Sequence, residues 1–105
     1  MNTSGWIRGH IAHNSPNDRF IRFLVNTISK EFDYKFKLDI TPDTYNITMG
    51  KYKVKIEISK AKALQLTGPY TLDKYILDSL KEQGLEFSQH RSQYIRYCYG
   101  LIENV

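Results

Sequence analysis

The residues of this sequence best suited to chemistry are two histidine-containing triplets, His-Asn-Ser at residues 13–15 and His-Arg-Ser at residues 90–92. Two imidazoles that face one phosphodiester can act as general base and general acid, so the two triplets suggest phosphodiester cleavage.

In form the two triplets are similar to the paired motifs of the two-histidine phosphoesterases. The similarity is superficial here, because the first serine is better suited to capping a helix and neither triplet lies in a clear strand pattern. Phosphodiester cleavage is therefore a third, disfavoured hypothesis, and it requires His13 and His90 to converge on one site.

The third histidine and the single cysteine extend the candidate metal ligands to His10, His13, His90 and Cys98. A structural zinc site normally has four ligands at recognisable spacing, and the sequence has neither a C-x-x-C pair nor a second histidine pair. Cys98 lies between two tyrosines, where a free cysteine is more often a small buried hydrophobic residue than a nucleophile. Since a glycine-rich phosphate loop, paired catalytic carboxylates and a Ser-His-Asp series are also missing, the sequence predicts a non-enzymatic protein with no cofactor and no metal.

Composition predicts a soluble, basic protein that folds as one domain over residues 1–105. Fifteen Lys and Arg residues against eleven Asp and Glu residues give a net charge of +4, which favours a polyanion or an acidic protein face as partner. One cysteine cannot form an intrachain disulfide, and no apolar run resembles a signal peptide or a membrane span. We therefore expect a cytoplasmic location and no membrane partner.

A first helix is predicted to begin at Ser15, whose side chain can cap orphan amides, with Pro16 in the first helical position and Asp18 in the first turn. Apolar residues then recur at three- and four-residue spacing, which predicts one buried stripe and one polar side. The predicted stripe contains Phe20, Ile21, Phe23, Leu24, Val25, Thr27, Ile28 and Phe32. The predicted polar side contains Arg19, Arg22, Asn26, Ser29 and Lys30.

Three segments with strict alternation follow in residues 34–58 and predict an antiparallel meander. Turn residues at 41–44 and Gly50 separate the segments. Because one side of each strand is apolar, we expect helices to cover that face only and to leave the other face open to solvent or to a partner. The open face is predicted to carry Lys35, Lys37, Lys53 and Lys55.

Two more helices are predicted after the meander, one over residues 60–66 with Ser59 as its cap and Gly68 closing it, and one over residues 72–83 with Thr71 as its cap. Gly84 is predicted to end the second helix in the left-handed conformation.

The period of two resumes in residues 85–87 and 93–99, which predicts a closing strand or hairpin. Short alternating segments between amphipathic helices are typical of the α+β class. The predicted fold is thus an antiparallel sheet of about four to five strands, with a central three-stranded meander over residues 34–58 and two main helices packed on one face.

Residues 88–100 contain two arginines, a histidine and three tyrosines without any acidic residue. In a strand this set divides between two faces, so its tyrosines are interpreted as core or rim residues and its arginines as part of a basic surface. Such a surface attracts phosphates by releasing counterions, and the central strand offers no aromatic residues for base readout. The first hypothesis is therefore binding of nucleic-acid backbone through Arg19, Arg22, Lys35, Lys37, Lys53, Lys55, Arg91 and Arg96.

The second hypothesis is a protein-binding modulator, such as a small inhibitor of a larger enzyme. Eight tyrosines favour it, because Tyr and Arg are enriched among the residues that anchor protein interfaces. Small size, the absence of catalytic motifs and a composition rich in Lys, Ile, Asn and Tyr also suit an accessory protein of a phage or mobile element.

Overall fold

The computed structural model describes residues 16–101, which form one three-stranded antiparallel sheet and four helices. The elements in chain order are α1 (Asn17–Glu31), β1 (Phe36–Ile40), β2 (Thr44–Met49), β3 (Tyr52–Glu57), α2 (Ile58–Thr67), α3 (Thr71–Glu82) and α4 (Gln93–Cys98). The α+β class is confirmed, whereas the predicted fourth and fifth strands are not found in the described residues. Residues 6–13, where the alternation of Ile7 and Ile11 with polar or small neighbours predicts a short strand or an ordered arm, lie outside the described part of the chain, as does the predicted cap at Ser15.

α1 packs one apolar stripe against the sheet, as its spacing predicts. The members of this stripe are at most 2% exposed: Phe20, Ile21, Leu24, Val25 and Ile28. Phe23 falls outside the buried arc and is 42% exposed, so the prediction for this residue was wrong. Ser29, predicted on the polar side, is buried, and its hydroxyl donates to the backbone carbonyl of Asn26 at 2.9 Å, which satisfies the buried group.

α1 ends in a left-handed residue that is not glycine. Asp33 has a φ of 58°, and the amide of the next residue, Tyr34, donates to the carbonyl of Ser29 at 2.9 Å. This six-to-one bond closes the last turn and directs the chain into β1.

The sheet has the order β1-β2-β3, and its register separates an apolar face from a polar one. Ile47 in the middle of β2 lies opposite Leu38 of β1 and Val54 of β3. The alternate side chains of β2 and β3 are buried against the helices, whereas the side chains between them are exposed or half-buried. The predicted meander and its one covered face are confirmed.

The two edges of the sheet differ. At β3 the side-chain amide of Gln83, from the end of α3, accepts from the Lys53 amide at 2.9 Å and donates to the Lys53 carbonyl at 2.6 Å. This pair of bonds occupies the backbone of Lys53, the second residue of β3, in the way that a neighbouring strand would.

α2 begins directly after β3, without a loop. The amide of Ile58 still donates to the carbonyl of Asp43 at 2.9 Å, as in strand pairing, and Glu57 is the N-cap. Ser59 therefore lies inside the first turn, and its predicted role as the cap was wrong. The helix ends at Gly68, as predicted.

α3 matches its prediction closely and buries Leu72, Ile76 and Leu80. Its first residue is Thr71, so the N-cap is one residue earlier than predicted. Gly84 has a φ of 106° and is the predicted left-handed terminator.

Residues 93–98 form the helix α4, so the predicted closing strand was wrong. The hydroxyl of Ser92 caps this helix by accepting from the amide of Ile95 at 3.1 Å. Ile95 and Cys98, three residues apart, are buried, whereas the alternating residues Tyr97 and Tyr99 remain half-buried at the rim. The burial period is helical, and the alternation that suggested a strand has no counterpart in the packing.

Within residues 16–101, no helix combines the length and the apolar character needed to cross a bilayer.

Candidate nucleic-acid interface

The open face of the sheet is polar, as predicted, but its charge is mixed. One row across the face contains Lys37, Thr48 and Lys53, and the next row contains Asp39, Asn46 and Lys55. The ammonium group of Lys37 lies 3.8 Å from the carboxylate of Asp39, so its charge is partly compensated. Lys35 is exposed immediately before β1. Positive charge without an ion-pair partner therefore concentrates on the β3 side of the face.

The strongest concentration of positive charge occurs where β3 runs into α2. Four exposed side chains form what we name the lysine cluster: Lys53, Lys55, Lys60 and Lys62. Lys55 and Lys62 line a groove of about 640 Å³, and Lys55 and Lys60 line a depression of about 450 Å³ that shares Glu57 with the groove. None of the four ammonium groups forms an ion pair with a carboxylate of residues 16–101.

Two carboxylates, Glu57 and Asp43, border the same groove. The two lysines that line the groove are matched by two carboxylates, and a formal balance of +2 remains when all four members of the cluster are counted. Within residues 16–101 their ammonium groups have no ion-pair partner, and that of Lys60 lies over the Tyr75 ring.

The start of α2 adds to this positive character. Backbone amides in the first turn of a helix have no intrahelical partners, and the helix dipole places partial positive charge there. α1 and α3 each carry an aspartate in the first turn, whereas the first turn of α2 has no acidic residue. The nearest carboxylate belongs to its N-cap residue, Glu57, whose side chain forms no capping hydrogen bond. Lys60 lies in that turn instead, with its ammonium group 4.5 Å from the centre of the Tyr75 ring. An anion at this end would offset the repulsion between the lysines and the dipole.

The arginines of the first hypothesis do not join the lysine cluster. Arg19 and Arg22 are exposed on α1, which packs on the opposite, apolar face of the sheet. Arg91 is engaged at the end of α1: its Nε lies 2.8 Å from a carboxylate oxygen of Glu31, and its guanidinium lies 4.6 Å from the centre of a neighbouring aromatic ring. Arg96 is exposed on α4, which packs against α3. The predicted set therefore divides over several surfaces.

The tyrosines of residues 88–100 have structural contacts. The Tyr94 hydroxyl donates to Asp73 at 2.5 Å, and the Tyr99 hydroxyl donates to Asp78 at 2.8 Å. These bonds attach α4 to α3, so the interpretation of the tyrosines as rim residues holds although the strand does not.

The third hypothesis depends on His13, which lies outside the described residues, as does His10. His90 is exposed in the loop before α4. Cys98 is 5% exposed, which agrees with its interpretation as a small buried residue. Residues 16–101 contain no group of three or more His, Cys, Asp and Glu side chains arranged to hold a metal ion.

Lys60 and Lys62 are the members of the cluster that sequence reasoning missed. The available signal was a pair of lysines near the start of a helix whose first turn contains no acidic residue, with Glu57 before the helix as the nearest carboxylate. Lysine is unfavourable there because of the helix dipole, and a residue that breaks a local preference often serves function.

The chain matches no protein-family model, no curated protein and no solved structure.

Proposed function

We propose that this protein binds the phosphate backbone of nucleic acid through the lysine cluster, without strong sequence readout. The observation that carries the proposal is that Lys55, Lys60 and Lys62 line two depressions that share Lys55 and Glu57, with Lys53 next to Lys55 on the open side of β3. None of the four forms an ion pair with a described carboxylate. Exposed ammonium groups of this kind attract phosphates and release their counterions.

Recognition of bases is not part of the proposal. The central strand β2 presents only Thr44, Asn46 and Thr48 to the open face, while its aromatic residue, Tyr45, is fully buried on the other side. The strands therefore provide no aromatic platform for stacking unpaired bases.

Fluorescence anisotropy with labelled single- and double-stranded oligonucleotides tests the proposal. If all four lysines contact phosphates, the logarithm of the binding constant should fall with the logarithm of salt concentration with a slope of about −3 to −4. Lys55→Ala should weaken binding to every sequence alike and reduce the slope by about one. The double variant Lys60→Glu/Lys62→Glu should weaken binding by at least about tenfold.

Arg19→Glu/Arg22→Glu is the matched control, because it changes the total charge equally on the opposite layer. Equal losses in both double variants would show that total charge, and not the cluster, governs binding. A dissociation constant weaker than roughly 100 μM at low salt, or binding that is indifferent to salt, would overturn the proposal.

The protein-binding hypothesis remains the alternative. Its main argument is weaker than composition suggested, because Tyr45, Tyr94 and Tyr99 donate hydrogen bonds within the fold. A pull-down before and after nuclease treatment separates the two hypotheses. A partner protein that is retained after the nucleic acid has been destroyed supports the alternative.

A further inference from the structure

The outer edge of β1 offers backbone groups for pairing with another strand. Gln83 binds Lys53 from outside the sheet, so the backbone of Lys53 points away from β2. Its register partner Thr48 then points toward β1, and Lys37 opposite Thr48 points toward β2, because backbone direction alternates along an antiparallel strand.

The alternate residues of β1 consequently direct their N–H and C=O groups outward, and these residues are Phe36, Leu38 and Ile40. The bond from the Thr41 amide to the Thr44 carbonyl, 2.9 Å long, fits the same alternation. None of the three has a backbone partner on the outer side within residues 16–101. An edge strand with a free backbone is a template for addition of a further strand.

The apolar face is also less covered at this edge than elsewhere in the sheet. Ile40 is 42% exposed, whereas Ile47 and Met49 of the central strand are at most 2% exposed. Phe36 and Leu38 are half-buried. A strand added beside β1 would cover these side chains.

The charges of β1 indicate which kind of strand can pair with its outer edge. We propose that β1 pairs antiparallel with β1 of a second copy of this chain, with the two copies of Leu38 opposite each other. In that register Lys37 of each copy lies opposite Asp39 of the other, on the open face. Phe36 of each copy lies opposite Ile40 of the other, on the apolar face.

This register is self-complementary, as a two-fold axis requires. All three outward-facing residues become hydrogen-bonded pairs, and the two cross-strand pairs of opposite charge replace a free edge. A five-residue strand buries less surface than a standard interface, so we expect a weak dimer, with a dissociation constant on the order of tens of micromolar. The association goes beyond the proposed function and needs no nucleic acid.

Sedimentation velocity of the full chain, without nucleic acid and over about a hundredfold range of concentration, measures the association. Lys37→Asp would place an acidic side chain opposite Asp39 of the second copy, and Asp39→Lys would place an ammonium group opposite Lys37. Each single variant should weaken the dimer by at least about tenfold, because like charges then face each other. An equimolar mixture of the two variants should restore association, because opposite charges face each other in the mixed dimer.

Lys53→Asp is the matched control, since it makes the same charge change on the open face at the other edge of the sheet. It should leave the dissociation constant of the dimer unchanged within about twofold. Far-UV circular dichroism and thermal unfolding of each variant separate loss of association from loss of folding.

Two results would overturn the proposal. The first is a wild-type chain that stays monomeric over the whole concentration range. The second is a dimer that both single variants leave intact, which would place the interface on another surface.

Discussion

At the scale of single residues, Asp33 occupies a conformation that L-residues other than glycine rarely adopt. Its φ of 58° serves the end of α1, where its amide donates to the carbonyl of Lys30. The corresponding positions after α3 and α4 are Gly84 and Gly100, each with a positive φ. An aspartate tolerates this geometry at a cost, and its negative charge lies at the negative end of the helix dipole.

Asp33→Gly should therefore raise the free energy of unfolding by about 0.5–1 kcal/mol, measured by urea denaturation. Asp33→Asn separates the two causes, because it removes the charge and keeps a side chain. A glycine variant that is less stable than the wild type would show that the positive φ of Asp33 carries no conformational cost that glycine removes.

Tyr45 is one of two tyrosines, with Tyr99, whose ionisation the fold opposes. It is fully buried, and its hydroxyl donates to Asn17 at 2.6 Å and to the carboxylate of Asp18. Burial, and then the hydrogen bond and negative charge of Asp18, raise the pKa of Tyr45 well above its ordinary value of 10.0. A raised pKa in the folded state means that the neutral phenol contributes stability below pH 10.0, and that this contribution is lost as the pH rises further.

We expect Tyr45→Phe to lower stability near neutral pH by about 1–2 kcal/mol, because Asn17 and Asp18 lose their donor. The variant should also lose less stability than the wild type when the pH is raised above 10.0. Urea denaturation over a pH series measures both effects. Tyr97→Phe is the control, because the Tyr97 hydroxyl forms no hydrogen bond within residues 16–101 and the ring stacks on Tyr70. Equal alkaline losses in wild type and Tyr45→Phe would contradict the role given to this hydroxyl.

At the scale of elements, the contact between Gln83 and Lys53 joins the end of α3 to the edge of β3. Gln83→Ala removes both hydrogen bonds and should lower the free energy of unfolding by about 1 kcal/mol, since the site is exposed. Gln83→Glu keeps the acceptor and loses the donor, so its free energy of unfolding should lie between those of the wild type and Gln83→Ala. Hydrogen exchange of the Lys53 amide, followed by NMR, should be faster in the alanine variant. An unchanged exchange rate would show that the contact does not protect this edge.

The elements with long, regular periodicity were predictable from sequence. α1, α3 and the three strands each repeat their pattern often enough to show which face is buried. α4 was not, because its six residues barely exceed one turn, and three alternating aromatic or aliphatic residues imitate a strand. The stronger local signal was Ser92, whose side chain caps the helix.

The candidate site was predictable only in part, because sequence periodicity gives the face of a strand but not the neighbours of that face. Lys53 and Lys55 were assigned to the open face correctly, whereas their proximity to Lys60 and Lys62 depends on the direct passage from β3 into α2. The ion pair between Arg91 and Glu31 joins residues that are 60 positions apart, and a local sequence pattern cannot predict such a contact.

At the scale of the whole molecule, the fold distributes its basic residues over several surfaces. The lysine cluster lies at the junction of the sheet with α2, while Arg19 and Arg22 lie on α1 behind the sheet. A net charge alone therefore does not identify a binding surface. Lys60→Glu/Lys62→Glu and Arg19→Glu/Arg22→Glu change the net charge by the same amount. A difference between their affinities for nucleic acid therefore identifies the surface that binds it.

The two hydrogen bonds between Gln83 and the Lys53 backbone also affect how many copies of the chain can associate through their sheet edges. A sheet with two open edges could add chains without limit and grow into a fibre, whereas an edge with one outward-facing residue already bonded offers a shorter template. With Lys53 engaged by Gln83, a strand that paired with β3 would have to begin beyond Lys53, whereas pairing through β1 alone gives a closed dimer. A single amide side chain thus lowers the tendency of the sheet to grow at its second edge.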